Sequence, residues 1–122
     1  MTHAILIVED DPPTQMLLET LVQRSGYESV TAPNGEVAIE LLGERDFDVV
    51  ILDLMMPNVG GAEVIDFLAQ HDDPVPVILC TAAGPHRTSE FDERVVRAVV
   101  RKPFDIEALM NTVRKLTGKG LA

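Results

Sequence analysis

The chain has 122 residues, 46% of them hydrophobic, and a formal net charge of −10. This length and composition suit one globular domain that buries its core without disulfides, so we expect a single domain over residues 1–122. The negative charge argues against direct nucleic-acid binding, because such a domain needs a cationic surface to displace counterions from phosphates.

Five short apolar runs recur along the chain, and most of them are continuous rather than alternating. Continuous β-branched runs of this length are typical of parallel strands covered on both faces, and the intervals between them can hold helices. The predicted strands are Ala4–Val8, Glu28–Ala32, Val49–Leu52, Val77–Cys80 and Ala98–Val100.

Amphipathic stripes with start and stop signals lie between the strands. The first predicted helix has Asp11 as its N-cap and Pro12 at its first position, and Gly26 ends it. The last begins after an Asp105 cap, with Gly118 soon after its end. Two further helices are predicted from the stripes Val37, Ala38, Leu41 and Leu42 between Asn34-Gly35 and Gly43, and Val64, Ile65 and Leu68 before Asp72.

The stretch over residues 82–97 has weaker signals. Gly84-Pro85 breaks the chain, and Ser89 with Asp92 matches a capping box. This pattern predicts a helix that is short or irregular, and it leaves the start of the fifth strand open by several residues.

The alternation of strands and helices predicts an α/β fold with an open, doubly wound parallel sheet. In such sheets, functional groups gather at the carboxyl ends of the strands. The polar residues there are Glu9, Asp10 and Asp11 after the first strand, Asp53 after the third, Thr81 after the fourth and Lys102 after the fifth. We expect these side chains to converge on one edge of the sheet.

Location can be predicted from what the chain lacks. No secretory signal follows Met1, and no apolar run approaches the roughly 18 residues that span a bilayer. Cys80 is the only cysteine and lies inside an apolar run, which favours a buried thiol over a reactive one. We therefore predict a soluble cytoplasmic protein that does not bind membranes.

The carboxylates after the first and third strands predict a cation site. Grouped acids raise one another's proton affinity unless a cation lies among them. Oxygen ligands without nearby histidine or cysteine favour Mg²⁺ or Mn²⁺, and Mg²⁺ keeps a position for a phosphate oxygen. The alternative is a set of solvated charges at a helix start, which Asp11 fits because its capping role is sufficient.

Asp53 is unusual because it closes a buried apolar run, where an ionised carboxylate is costly unless it is paired or bound to metal. The hydroxyl of Thr81 and the ammonium of Lys102 would neutralise a phosphoryl group on Asp53, whose carboxylate can act as a nucleophile. The set predicts phosphoryl transfer to aspartate. Taken singly, Thr81 could be structural and Lys102 merely exposed.

Four motifs, in order, resemble those of two-component response-regulator receiver domains of the CheY-like superfamily, over essentially the whole chain. The resemblance implies a flavodoxin-like fold with five parallel strands in the order 2-1-3-4-5 and helices on both faces. It also leads us to expect no output domain in this chain, with a receiver cut from a larger protein as the alternative. The motifs are Ile5 to Asp11, Asp53 to Pro57 with Gly61, Thr81-Ala82, and Lys102-Pro103-Phe104.

The resemblance implies that Asp53 accepts a phosphoryl group from a sensor histidine kinase or a phosphotransfer protein. Asp10, Asp53 and the main-chain carbonyl of Met55 would bind Mg²⁺, and Glu9 would act mainly through metal-bound water. The implied protein is a phosphorylation-switched signalling module that is not an enzyme, with only self-catalysed phosphotransfer and dephosphorylation.

The resemblance also implies roles for the remaining residues of the site. At one position the chain differs from the usual receiver pattern. Lys102 would contact the phosphoryl oxygens, and Thr81 would move inward to hydrogen-bond one of them. Receivers commonly place tyrosine or phenylalanine three residues before the lysine, but this chain has Val99. The coupling between phosphorylation and the outer face therefore has no aromatic residue to carry it.

Charge is unevenly distributed along the chain. Residues 1–86 hold two basic and fifteen acidic side chains, giving −13, whereas residues 87–122 hold eight and five, giving +3. We hypothesise that the basic part docks an acidic downstream partner, or a second receiver copy, through Arg87, Arg94, Arg97 and Arg101. The alternative is intramolecular pairing with Glu90, Asp92 and Glu93.

Two other functions stay open. Haloacid-dehalogenase-like phosphatases also use an aspartyl nucleophile with Mg²⁺, threonine and lysine, but they carry a second aspartate two residues after the nucleophile, where this chain has Met55. A phosphorylation-independent receiver-like scaffold is the third possibility. The complete set of Asp10, Asp53, Thr81 and Lys102 argues against it, although Val99 leaves it open.

Overall fold

The computed structural model describes residues 3–54, 60–81, 91–102 and 105–118, with only the backbone of Thr81 described. Its five parallel strands form one sheet in the order β2-β1-β3-β4-β5, which confirms the predicted α/β fold and strand order. The strands are β1 (Ala4–Val8), β2 (Glu28–Ala32), β3 (Val49–Asp53), β4 (Val77–Thr81) and β5 (Val96–Arg101). The described helices are α1 (Pro12–Arg24), α2 (Gly35–Glu44), α3 (Gly61–Ala69) and α4 (Ile106–Thr117).

Two apolar layers enclose the sheet. Alternate residues of the central strands, such as Leu6 and Ile7 of β1, point into opposite layers and are fully buried. α2 and α3 complete the layer on one face, and α1 and α4 complete the layer on the other. Because both faces are covered, β1 and β3 are buried at every residue, as their continuous apolar sequences predict.

β5 departs from that pattern because it is an edge strand. Arg97, Val99 and Arg101 are exposed, and they alternate with partly buried residues. β5 also begins two residues before the predicted Ala98, because Val96 pairs with Val77. The register shifts between Val77 and Ile78, which local sequence patterns do not reveal.

The predicted helix starts are confirmed by capping hydrogen bonds. Side chains of Asp11, Asn34 and Asp105 each accept from backbone N–H groups in the first turn of their helices. Such a cap contributes about 1 kcal/mol to stability. α4 ends at Gly118 in the left-handed conformation, with φ 72°, which favours glycine. α2 ends one residue after Gly43, which was predicted to bound it.

The predicted helix over residues 82–97 lies mostly outside the described residues, together with its Ser89 cap and Gly84-Pro85 break. The described part, from Phe91 to Val95, forms a turn that leads into β5. No helix of the described chain combines the length and the apolar character needed to cross a membrane.

Candidate functional site

The carboxyl edge of the sheet brings together four predicted site residues. Glu9 and Asp10 follow β1, Asp53 is the last residue of the adjacent β3, and Lys102 follows β5. Carboxylate oxygens of Glu9, Asp10 and Asp53 all lie within 4.8 Å of one another. Glu9 is 1% and Asp53 6% exposed, whereas Asp10 is exposed to solvent. The site therefore has two buried acids and one open to solvent.

Lys102 links the two buried acids. Its Nζ donates to Oε1 of Glu9 at 3.0 Å and to Oδ2 of Asp53 at 3.3 Å. β5 lies two strands from β3, about 10 Å at the usual strand spacing, and the lysine side chain and the Asp53 carboxylate together span that gap. The ammonium thus compensates part of the negative charge of the two buried acids.

Main-chain and side-chain contacts fix Glu9 in place. Its Oε2 accepts from the backbone N–H of Asp11 at 3.2 Å, and its carbonyl accepts from Nε2 of Gln15 at 3.0 Å. The backbone N–H of Glu9 donates to the carbonyl of Ala32 at 3.1 Å. These contacts fix both the side chain and the backbone of Glu9.

Burial and neighbouring charge shift the proton affinities at the site. Burial raises the pKa of Glu9 to about 7; the hydrogen bond from Lys102 opposes that rise, and Asp53 adds to it. Burial lowers the pKa of Lys102, but the hydrogen bond to Glu9 and the charge of Asp53 outweigh burial, so its pKa is raised. Lys102 is therefore a cation at neutral pH, held between acids.

The donor set fits a hard divalent cation. Three carboxylates lie close together and Lys102 pairs with two of them, so added positive charge would relieve the remaining repulsion. All donors of this cluster are oxygen atoms, which suits Mg²⁺ or Mn²⁺. Met55, whose main-chain carbonyl is the remaining predicted ligand, lies outside the described residues.

Thr81 is described by its backbone alone. It is the last residue of β4 and pairs in register with Arg101, directly before Lys102. Its backbone therefore lies at the same edge of the sheet as the acids. The predicted roles of its side chain, and of Ala82 and Pro103, lie outside the described part of the chain.

Gln15 belongs to the site, although its sequence pattern did not indicate a role. Side chains on a helix tilt toward its N-terminus, so a glutamine in the second turn of α1 can reach back to the loop after β1. A polar residue one turn after an acidic cluster is the signal that could have identified it. Asp11 acts as the predicted N-cap, and its main chain also holds Glu9.

The four arginines of the hypothesised docking face have different environments. Arg94 forms an ion pair with Asp92 at 3.0 Å and also donates to the carbonyl of Ala69 at 2.8 Å, so the intramolecular alternative applies to it. Arg97 and Arg101 lie on the outer side of β5, and neither forms an ion pair with any residue that the structure describes. Arg87 and Glu90 lie outside the described residues.

Val99, between the two exposed arginines, is 42% exposed.

Comparisons with known proteins agree with this architecture. The response regulator receiver domain model matches residues 5–114. The polar-differentiation response regulator DivK of Brucella anthropi is 30% identical, over 97% of this chain and 98% of its own length. The structure of response regulator protein TrrA from Thermotoga maritima, in complex with Mg(2+)-BeF, is 35% identical with a TM-score of 0.85, covering 94% of this chain and 99% of that one. A putative response regulator from Chloroflexus aurantiacus is 26% identical with a TM-score of 0.88, covering 98% and 100%.

Proposed function

The chain belongs to the response regulator receiver domain family, and from that premise we propose that it is a phosphorylation-switched module of a two-component or phosphorelay system. Asp53 accepts a phosphoryl group from a sensor histidine kinase or a phosphotransfer protein. The main support is the shared hydrogen bonding of Lys102 with Glu9 and Asp53, which holds a cation beside two buried acids, one of them the proposed nucleophile.

Phosphoryl transfer needs only a nucleophile and compensation of charge. A carboxylate oxygen of Asp53 attacks the phosphorus of the phosphohistidine, and a P–O bond forms as the P–N bond breaks. The electron pair of the broken bond leaves on the imidazole nitrogen, which takes up a proton. Lys102, already 3.3 Å from the attacking carboxylate, stabilises the charge on the phosphoryl oxygens.

We propose Mg²⁺ as the cofactor, with Mn²⁺ as a substitute. Asp10, Asp53 and the main-chain carbonyl of Met55 would bind the ion, and Glu9 would act mainly through metal-bound water. When bound, the ion would offset charge on the oxygens of the phosphoryl group. The close grouping of the three carboxylates supports this assignment, and the related TrrA was solved with Mg(2+)-BeF.

The product acyl phosphate changes which proteins bind. We assign to Thr81 a hydrogen bond to a phosphoryl oxygen, and to Arg97 and Arg101 the docking of an acidic partner or a second copy. In this proposal the chain is one receiver domain over residues 1–122, located in the cytoplasm. It is not an enzyme: self-catalysed phosphotransfer and dephosphorylation are its only chemistry.

The test is phosphorylation by a small donor. The protein is incubated with Mg²⁺ and acetyl phosphate, and intact mass and released phosphate are followed for wild type and Asp53→Asn. Asp46→Asn is the matched control, because Asp46 is an exposed acid before β3. We expect one slowly decaying adduct in wild type and in Asp46→Asn, and none in Asp53→Asn.

Other outcomes identify the other candidate functions. Continuous release of phosphate without an accumulating adduct would support a phosphatase. No adduct with acetyl phosphate or with a phosphohistidine donor would support a scaffold that does not need phosphorylation.

A further inference from the structure

Gly61 packs against the backbone that carries Asp53. It is the first residue of α3, and its N–H donates to the carbonyl of Leu54 at 3.4 Å. A methyl group at Gly61 would lie 2.9 Å from Cα and 3.2 Å from the carbonyl oxygen of Leu54, and 3.0 Å from the carbonyl oxygen of Asp53. Carbon atoms not bonded to each other usually stay about 3.5–4.0 Å apart. Any side chain here would therefore displace the main chain on one side of the contact.

Backbone conformation does not account for this glycine. The described glycines with positive φ are Gly26 and Gly118, and Gly61 is not among them. Alanine is the better helix former at a position with ordinary helical geometry. The close approach to residues 53 and 54 is therefore the feature that requires glycine at position 61.

α3 is held too firmly to move away from a side chain at position 61. Val64, Ile65 and Leu68 follow within two turns of the helix, and all three are buried in the core. Retreat of the helix would open voids around these side chains, whereas Leu54 lies just beyond the end of β3 and is only partly buried. An added methyl group would therefore displace the backbone at Asp53 and Leu54 rather than the helix.

We propose that Gly61 is a positioning residue for phosphoryl acceptance, a role that rests on the function proposed above. By leaving room for the backbone of Leu54, it fixes the Asp53 carboxylate relative to Lys102 and Asp10. One shifted peptide would thus misplace the nucleophile, and misplacement of about 1 Å can cost about a hundredfold in rate.

The test compares Gly61→Ala with Gly43→Ala. Gly43 is an exposed glycine inside α2, and a methyl group there would meet nothing within 4 Å. For each variant, Mg²⁺ affinity is measured by titration calorimetry, the phosphorylation rate with acetyl phosphate by intact mass, and the melting temperature by circular dichroism. We expect Gly61→Ala to lower the rate by at least about tenfold and to weaken Mg²⁺ binding while folded. Gly43→Ala should keep wild-type values of both.

The rate, the Mg²⁺ affinity and the melting temperature together distinguish a positioning role of Gly61 from a loss of stability and from a failure of the proposed function. Wild-type rate and Mg²⁺ affinity in Gly61→Ala would overturn the positioning role, even if its melting temperature falls. Absence of an adduct in wild type would instead overturn the proposed function, and Mg²⁺ affinity would still test Gly61. If Gly61→Ala is unfolded, it is measured in the Gly43→Ala background, where the added alanine favours the helix. Unfolding of that double variant as well would assign Gly61 to folding and reject the proposal.

Discussion

The charged residues at the carboxyl edge of the sheet are held by contacts within the protein, whereas the exposed arginines of β5 are not held in this way by the described residues. Glu9 and Asp53 are buried, and both accept hydrogen bonds from Lys102. Arg97 and Arg101 are exposed, and within the described part of the chain neither has an ion-pair partner. A buried charge must be compensated inside the protein, whereas an exposed one can stay in water until a partner arrives. The first group suits chemistry, and the second suits recognition.

The largest expected effect comes from removing the cation of the buried group. Lys102→Met leaves Glu9 and Asp53 without their shared donor, so we expect the phosphorylation rate to fall by about a hundredfold. Without Mg²⁺, stability should fall by about 1–2 kcal/mol, less than for a fully buried pair because Lys102 is 26% exposed. Phosphorylation by intact mass and urea unfolding with and without Mg²⁺ measure both effects.

Lys115→Met is the matched control, because it removes the same charge from an exposed position of α4. It should change stability by less than about 0.5 kcal/mol and leave the rate unchanged. Equal effects of the two variants would show that net charge matters rather than the contacts of Lys102. In that case the contrast between the two groups of charges would be lost.

The next effect is on partner binding. Reversal of Arg97 and Arg101 to glutamate should weaken binding of a phosphorylation-dependent acidic partner by about tenfold, since each exposed charge contributes up to about 1 kcal/mol. The phosphorylation rate should stay at the wild-type value. Binding is measured by calorimetry with the cognate partner, or by sedimentation for a second copy. Unchanged binding of the fully phosphorylated double variant would reject the docking role.

Within the hypothesised docking face, Arg94 differs from Arg97 and Arg101 because it makes intramolecular contacts. Its guanidinium donates to the carbonyl of Ala69 at the end of α3 and pairs with Asp92. We expect Arg94→Ala to cost about 1 kcal/mol, because the side chain is 53% exposed and water screens the pair. Arg97→Ala should cost less than about 0.5 kcal/mol in the same urea titrations. If Arg97→Ala cost as much, β5 would hold a contact beyond those described.

The sequence predicts the fold well because its signals are local. Apolar runs identify the strands, the Asp11 and Asp105 caps predict two helix starts, and Asn34-Gly35 predicts the boundary of a third helix. The convergence of Glu9 and Asp53 follows from the rule that parallel strands end at one edge. Each of these inferences needs only neighbouring residues or the order of elements.

What the sequence did not predict depends on contacts between distant segments. Arg94 and Ala69 meet only because the turn before β5 lies beside the end of α3, and their separation in sequence gives no sign of it. Gly61 was recognised as part of a motif, but its contact with Leu54 becomes apparent only in three dimensions. The alternation in β5 follows from its edge position, which the resemblance implied through the strand order.

The smallest expected effect is on Cys80, which lies in β4 between the two regions. It pairs in register with Asp53 on one side and Val100 on the other, and burial raises the pKa of its thiol to about 12. Because the thiolate is the reactive form, the raised pKa keeps labelling slow in the folded protein. Folded-state labelling should rise about tenfold per pH unit between pH 7 and 9. We expect the same slow labelling, followed by mass, with and without the phosphoryl group. Faster labelling after phosphorylation would mean that β4 opens, and the two regions would then be coupled through the sheet itself.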